Sequence, residues 1–374
     1  MSSIALMRNE TALQRLALAP CAQKSDPCKI LESLHQGLEQ GKTRFLTLLM
    51  QQGLGELWYE TLQHYGLTTS IAEDVIATLK QVRRKTAIHY LLQCEALRQI
   101  DRAFEAAGIH YAAFKGVQVR ELIYADPSLR PADDIDVLIA PRQRDLAAHI
   151  LLQNGFQAYI DSENVSHEAY FLGHQVGVDL HWDLMRPGRT RIPLATTLLR
   201  RRCREAFFWG LNASDTLFIL LVHPAFTKYV SSPNARLCRL ADLHTWLSNR
   251  AVDWDPVLSL LDQSGLKTAA WLVLYRLSQL AGTTMPTELI GQLQPARWRR
   301  SYLRYWLDHN LPSRWLNYPL LIQIAFTLFL HDRPGDVLIA IQGWLRHRQL
   351  RHQEKRRFSA ILQNTSISLP DSRK

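Results

Sequence analysis

Helical spacing of apolar residues runs through most of this chain, and one stretch between residues 105 and 190 interrupts it. Apolar side chains recur at steps of three and four from Ile30 to Phe104 and again after Pro193, which predicts helices on both sides. Inside the stretch, IHYAAFKG, DIDVLIA, FQAY and EAYFLGHQVGVDLHWDL predict strands, with Gly177 at a turn or bulge. VQVRELIYA and PRQRDLAAHILLQNG predict helices between them. We therefore expect an α+β, mostly helical protein with one small mixed sheet.

This pattern divides the chain into four segments. We predict an N-terminal helical region over 1–104, an α/β core over 105–190, a C-terminal helical region over 191–363 and a disordered tail over 364–374. The 374 residues are 47% hydrophobic and 21% charged, a composition typical of globular proteins that bury a sizeable core.

Cysteine usage and hydropathy indicate the cellular compartment in which the protein resides. The five cysteines are odd in number, scattered and without CxxC spacing, which favours a reducing environment. The longest apolar run, Leu320 to Leu330, is too short to span a bilayer, and the N-terminus lacks the features of a signal peptide. We expect a cytoplasmic protein without a membrane partner. The net charge of +10 favours an anionic partner but does not choose among nucleotide, nucleic acid and phosphorylated substrate.

The run RPADDIDVLIA places aspartates at the start of an apolar strand. Side chains alternate along a strand, so Asp134 and Asp136 share one face while Ile135, Val137 and Ile139 share the other. Two adjacent carboxylates repel each other unless positive charge lies between them. Mg²⁺ or Mn²⁺, which prefers oxygen ligands, is the usual solution.

The later run VGVDLHWDL supplies a third carboxylate. Asp179 and His181 share the polar face of this predicted strand, and a neighbouring strand would bring Asp179 beside the Asp134 and Asp136 pair. Three carboxylates from two strands hold two metal ions in many phosphoryl-transfer sites.

The run FKGVQV predicts a strand that ends at Lys115-Gly116 and opens a helix. Backbone N–H groups at such a helix start, together with the ammonium of Lys115, suit phosphate oxygens. By itself this motif is weakly specific.

In this order the three pieces resemble the nucleotidyltransferase superfamily with the polymerase-beta-like fold, in which a glycine turn is followed by Asp-h-Asp on one strand and a carboxylate on a later strand. The closer resemblance is to a bacterial family of uncharacterised nucleotidyltransferases. The residues that match its motifs are Gly108, Ile109, Lys115, Gly116, Tyr124, Arg130, Asp134, Ile135, Asp136, Val178, Asp179, Leu180, His181 and Trp182. Downstream, LLVH with His223 and LADL with Asp242 are similar to a helical segment of that family.

The resemblance implies a polymerase-beta-like core and an Mg²⁺-dependent (or Mn²⁺-dependent) enzyme. Such an enzyme moves a nucleoside monophosphate from a nucleoside triphosphate (NTP) to a hydroxyl or phosphate acceptor and releases pyrophosphate. Asp134, Asp136 and Asp179 would bind the metal and serve catalysis, and Lys115 with the Gly116 backbone would position the triphosphate.

Each of four further residues has two candidate roles. Arg130 either contacts the phosphates or pairs with one of the aspartates. His181, His223 and Asp242 are candidates for the acceptor side of the site, and a structural hydrogen bond is the alternative for each.

Two other functions stay open. Because the turn is Lys-Gly where the superfamily has Gly-Gly or Gly-Ser, the chain is alternatively a catalytically inactive nucleotide-binding or interaction protein. Basic stretches, Arg297 to Trp306 and Arg346 to Arg357, leave an enzyme that modifies RNA ends as a further alternative. A small molecule, peptide or protein is favoured over RNA as the acceptor.

Overall fold

The computed structural model describes residues 3–23, 26–159, 165–232 and 235–364. Of the predicted disordered tail, 364–374, all residues after Asn364 lie outside these ranges. The chain divides into two compact units. Unit 1 comprises Met1–Tyr90, Val119–Pro131 and Thr216–Val337, and unit 2 comprises Leu91–Gln118, Ala132–Asp215 and Leu338–Lys374. The four segments drawn from the sequence stay a prediction.

Helices dominate the described residues. The helices α1 to α18 are, in chain order, Ser3–Ala17, Ala19–Ala22, Pro27–Glu39, Lys42–Gln51, Gly55–His64, Glu73–Ala106, Gly116–Ile123, Arg144–Gln153, Ala195–Arg200, Ala213–Lys228, Cys238–Asn249, Trp254–Ser264, Lys267–Ala281, Thr287–Leu293, Arg297–Asp308, Leu311–Arg314, Pro319–Ala325 and Pro334–Asn364. Short 3₁₀ helices are Leu67–Ser70, Pro127–Leu129, Pro141–Gln143 and Thr327–Leu330. Within the described ranges, none of the helices combines the length and apolar character needed to cross a membrane.

Local signals explain several helix ends. The Asp26 side chain accepts a hydrogen bond from the Lys29 N–H at the start of α3, as expected of an aspartate N-cap. Gly265 and Gly282 end α12 and α13 in the left-handed conformation that glycine adopts without strain. The longest helix of the described residues, α6, continues without a break for 34 residues.

Seven strands form one mixed sheet among the described residues, which confirms the α+β, mostly helical prediction. The strands β1 to β7 are Tyr111–Phe114, Asp134–Ile139, Gln157–Tyr159, Glu168–Gly173, Val176–His181, Cys203–Arg204 and Trp209–Gly210. Their order across the sheet is β3-β4-β5-β2-β1-β7-β6. β2 is antiparallel to β1 and parallel to β5, so the two strands that bear the aspartates are direct neighbours.

The central strands bury one face in an apolar core. Ile135, Val137 and Ile139 of β2 lie in this core, together with Val178 and Leu180 of β5. The alternation predicted for β2 is therefore observed, because the residues between them point to the opposite face. The alternate side chains Phe114, Asp134, Asp136, Glu168, Asp179 and His181 make up that opposite face, which we call the carboxylate face.

Two details of the sheet differ from the prediction. Gly177 lies inside β5 rather than at a turn, and a Cβ there would come within 2.6 Å of the Tyr170 hydroxyl oxygen, so the aromatic ring explains the glycine. The turn consists of His174 and Gln175, both with positive φ, as a tight hairpin requires. The region after Pro193 is also not purely helical, because β6 and β7 join the sheet there.

The last helix completes the core of unit 2. The Phe358 ring of α18 is buried and stacks on Trp182, with ring centroids 5.7 Å apart. Arg144 of α8 forms an ion pair with Glu354 of α18 at 3.1 Å. A Cβ on Gly343 would come within 2.4 Å of the Pro187 carbonyl oxygen, so this glycine allows the helix backbone to approach closely.

Candidate active site

Strand register brings the predicted carboxylates together. Asp136 of β2 and Asp179 of β5 are Cα partners in the parallel pairing, and Asp134 precedes Asp136 on the same face. On the other side of β2, Phe114 of β1 is the partner of Asp136, so the next residue, Lys115, emerges beside the aspartates.

Lys115 and His181 neutralise Asp136. The Lys115 ammonium donates to Asp136 Oδ1 at 2.5 Å, and His181 Nε2 lies 2.9 Å from the same oxygen. The side chains of Lys115 and Asp136 are only 15% and 8% exposed, so this ion pair is largely shielded from water. Burial alone would raise the pKa of Asp136, but Lys115 and His181 outweigh burial and hold that pKa below its ordinary value.

The backbone at Lys115 is unusual. Lys115 has a φ of +55°, in the left-handed region that side chains other than glycine rarely adopt, and Gly116 begins α7. The predicted turn is therefore made by the lysine, while the glycine provides the first residue of the helix. This conformation aims the ammonium back over the carboxylate face.

Among the residues that the structure describes, the other two aspartates have no neutralising partner of this kind. Burial and then the negative charge of Asp136 raise the pKa of Asp134 from 3.8 to about 6. Burial and then Asp134 and Asp136 raise the pKa of Asp179 to about 9. Burial lowers the pKa of Lys115, but Asp136, Glu168 and Asp179 outweigh it and raise that pKa. Ionising both of these carboxyls on the buried face is therefore unfavourable, and a bound cation would favour their ionised forms.

A histidine and a glutamate support the aspartates, and no sequence motif marks this glutamate. His181 is fully buried and packs edge-on against Phe114, with ring centroids 5.1 Å apart. Its Nδ1 lies 3.1 Å from Oε2 of Glu168, which faces it across the β4–β5 pairing. His167 Nε2 lies 3.4 Å from the same glutamate oxygen.

Two groups of described residues have ligand atoms close enough for one metal ion. One is Asp136, Asp179 and His181, and the other is His167, Glu168 and His181; in each, the ligand atoms lie within 4.8 Å of one another. Within the described ranges, Asp134 belongs to neither group, although it shares their face of β2.

Arg130 and Asp242, both predicted site residues, pair with each other in unit 1. Arg130 donates through Nη2 and Nε to Asp242 Oδ2 at 2.8 and 3.0 Å, and the Tyr124 hydroxyl donates to Oδ1 at 2.9 Å. The side chains of Arg130 and Asp242 are 9% and 0% exposed. Arg130 and Asp242 therefore form a buried ion pair. The phosphate contact of Arg130 and the acceptor-side role of Asp242 stay predictions. The predicted acceptor-side role of His223, which is half-buried in α10, also stays a prediction.

The comparisons with known proteins agree with this geometry. A family model described as "Uncharacterised nucleotidyltransferase" matches residues 39–282, which include the carboxylate face, Lys115, Arg130, His223 and Asp242. No curated protein matches the chain. The matched range covers well over half of the sequence, and the chain belongs to this family of uncharacterised nucleotidyltransferases.

Proposed function

We propose that this protein is an Mg²⁺-dependent nucleotidyltransferase that moves a nucleoside monophosphate from an NTP to a hydroxyl or phosphate acceptor and releases pyrophosphate. The observation that supports it most is the register of β2 and β5, which sets Asp179 beside Asp136 on the face that also bears Asp134. Family membership supports the general kind of reaction.

The carboxylate face fits a hard divalent cation. Its donors are carboxylate oxygens, which Mg²⁺ prefers, and the raised pKa values of Asp134 and Asp179 indicate that a cation would favour their ionised forms. Asp134, Asp136 and Asp179 would hold the ion. When bound, Mg²⁺ would supply positive charge that activates the acceptor oxygen, neutralises the triphosphate and stabilises the leaving oxygen.

The chain's own residues have distinct tasks in this proposal. Asp179 would complete the metal site and help to deprotonate the acceptor group. Lys115 neutralises Asp136 before the substrate arrives, and its ammonium turns to the phosphate oxygens of the bound NTP. The backbone N–H groups that open α7 at Gly116 face the same phosphates.

The test is transfer of label from NTPs with Mg²⁺ to the protein itself or to an acceptor in a cell lysate. Asp136→Asn removes one charge from the buried face and should abolish transfer while the circular dichroism spectrum stays native. The matched control is Asp133→Asn, because Asp133 is exposed and three residues away. Transfer that persists in Asp136→Asn would exclude the metal role.

A second function has one observation in its favour. The Lys115 ammonium occupies Asp136 Oδ1, so a lysine neutralises this carboxylate without any metal ion. A catalytically inactive scaffold that binds nucleotides without metal would be built in this way. Calorimetry decides between the two: NTP affinity that is unchanged by Mg²⁺, without turnover, favours the inactive scaffold.

A further inference from the structure

A second cluster of ligand atoms lies beside the aspartates on unit 2. Glu168 Oε2 is 3.1 Å from His181 Nδ1 and 3.4 Å from His167 Nε2. His167 and His181 are 6% and 0% exposed, and the Glu168 side chain is 12% exposed. We call His167, Glu168 and His181 the histidine cluster.

Hydrogen bonding does not account for this cluster. Among the described residues, His181 Nδ1 is buried without a hydrogen-bond partner, although Glu168 Oε2 lies 3.1 Å away. A buried polar atom without a hydrogen bond lowers the stability of the fold by roughly 1–3 kcal/mol, so the position of His181 Nδ1 needs an explanation. The same Glu168 oxygen also lies 3.4 Å from His167 Nε2.

The spacing suits a tetrahedral metal ion. Bonds of about 2.0–2.1 Å from Zn²⁺ to nitrogen or oxygen place neighbouring ligand atoms about 3.3 Å apart in a tetrahedron. The two separations, 3.1 and 3.4 Å, bracket that value, and one ligand atom from each of the three residues lies within 4.8 Å of the others. Two imidazoles and one carboxylate are a common ligand set for zinc and a poor one for Mg²⁺.

We propose that the histidine cluster is a zinc site, with His167 Nε2, Glu168 Oε2 and His181 Nδ1 as its ligands. All three residues are buried, and each offers one nitrogen or oxygen ligand atom.

The zinc site fixes the proton on His181. If Nδ1 binds the ion, the ring proton lies on Nε2, which then donates to Asp136 Oδ1 at 2.9 Å. The zinc would therefore orient Asp136 through the imidazole between them. This consequence rests on the proposed transferase function, whereas zinc binding itself does not.

The first experiment measures zinc per chain in the dialysed full-length protein by elemental mass spectrometry. We expect about one zinc per chain in the natural sequence and less than about a tenth in His167→Gln and Glu168→Gln, because each removes one of only three protein ligands. The control is His174→Gln, which alters an exposed histidine of the same hairpin and should retain the zinc. Asp179→Asn should also retain it, since Asp179 is outside the cluster.

Two outcomes would overturn the proposal: no zinc in the natural protein after it is offered the metal, or zinc that survives His167→Gln but is lost in Asp179→Asn. Should the histidine variant fail to fold, X-ray absorption at the zinc edge on the natural protein decides instead. Two imidazoles with one carboxylate support the site, and a shell of oxygen alone refutes it. Because neither measurement uses an NTP, failure of the zinc site and failure of the transferase proposal are separable.

Discussion

The carboxylate face and the Arg130–Asp242 pair are both buried and charged, but they differ in how their charges are balanced. In the pair, one guanidinium and one hydroxyl satisfy both oxygens of one carboxylate. On the carboxylate face, Lys115 and His181 satisfy a single oxygen of Asp136, and the pKa values of Asp134 and Asp179 are raised. A balanced cluster stabilises the fold, whereas an unbalanced one leaves charge available for a ligand.

The largest effect is expected from breaking the balanced pair. Arg130→Met leaves Asp242 buried without its guanidinium and should lower the free energy of unfolding by about 3–5 kcal/mol. Urea unfolding of Arg130→Met, Asp242→Asn and the double variant Arg130→Met/Asp242→Leu measures this. We expect the double variant to be more stable than Arg130→Met. A small loss in both single variants would contradict a structural role for the pair.

A smaller effect is expected when Lys115 is changed. Lys115→Met removes the cation from a buried carboxylate and should destabilise the Mg²⁺-free protein by about 2 kcal/mol, less than for Arg130 because His181 still contacts Asp136. Mg²⁺ should then stabilise this variant more than the natural protein, as followed by thermal unfolding.

Lys29→Met is the matched control for that experiment. Lys29 pairs with Asp26 at the surface, where both side chains are well exposed, so its loss should leave the unfolding curve unchanged. If Mg²⁺ shifts the melting temperature of Lys29→Met and Lys115→Met by the same amount, Lys115 does not occupy the place of a cation.

The smallest effect concerns pH. The pKa of Asp179 is raised from 3.8 to about 9, so the folded state retains a proton that the unfolded state releases between these values. The Mg²⁺-free protein should therefore lose stability as pH rises through this window, by about 1.4 kcal/mol from pH 6 to pH 7. Asp179→Asn should flatten that slope, and saturating Mg²⁺ should flatten it in the natural protein. A slope that Asp179→Asn leaves intact would assign the pH dependence to another group.

Sequence periodicity was sufficient for part of the site. The alternation of DIDVLI placed Asp134 and Asp136 on one face of β2, and the alternation of VGVDLH placed Asp179 and His181 on one face of β5. These inferences need only the two-residue period of a strand. The pairing of the two strands does not follow from this period, because their separation in the chain gives no register.

Contacts that depend on register or on distant residues could not be predicted. Glu168 faces His181 only because the hairpin turns at His174 and Gln175, neither of which is the glycine or asparagine that marks such turns. Arg130 and Asp242 are 112 residues apart, and no local pattern links them. The short strands β6 and β7 have two residues each, too few for any periodicity.

The position of Phe358 has a consequence for how the protein is made. This ring closes the core of the sheet against Trp182, yet it belongs to the last helix. During translation the seven strands are synthesised before Phe358, so the apolar face of the nascent sheet is exposed until α18 is made. Premature termination before α18 would leave that surface uncovered, and we expect the shortened product to be insoluble or bound by chaperones.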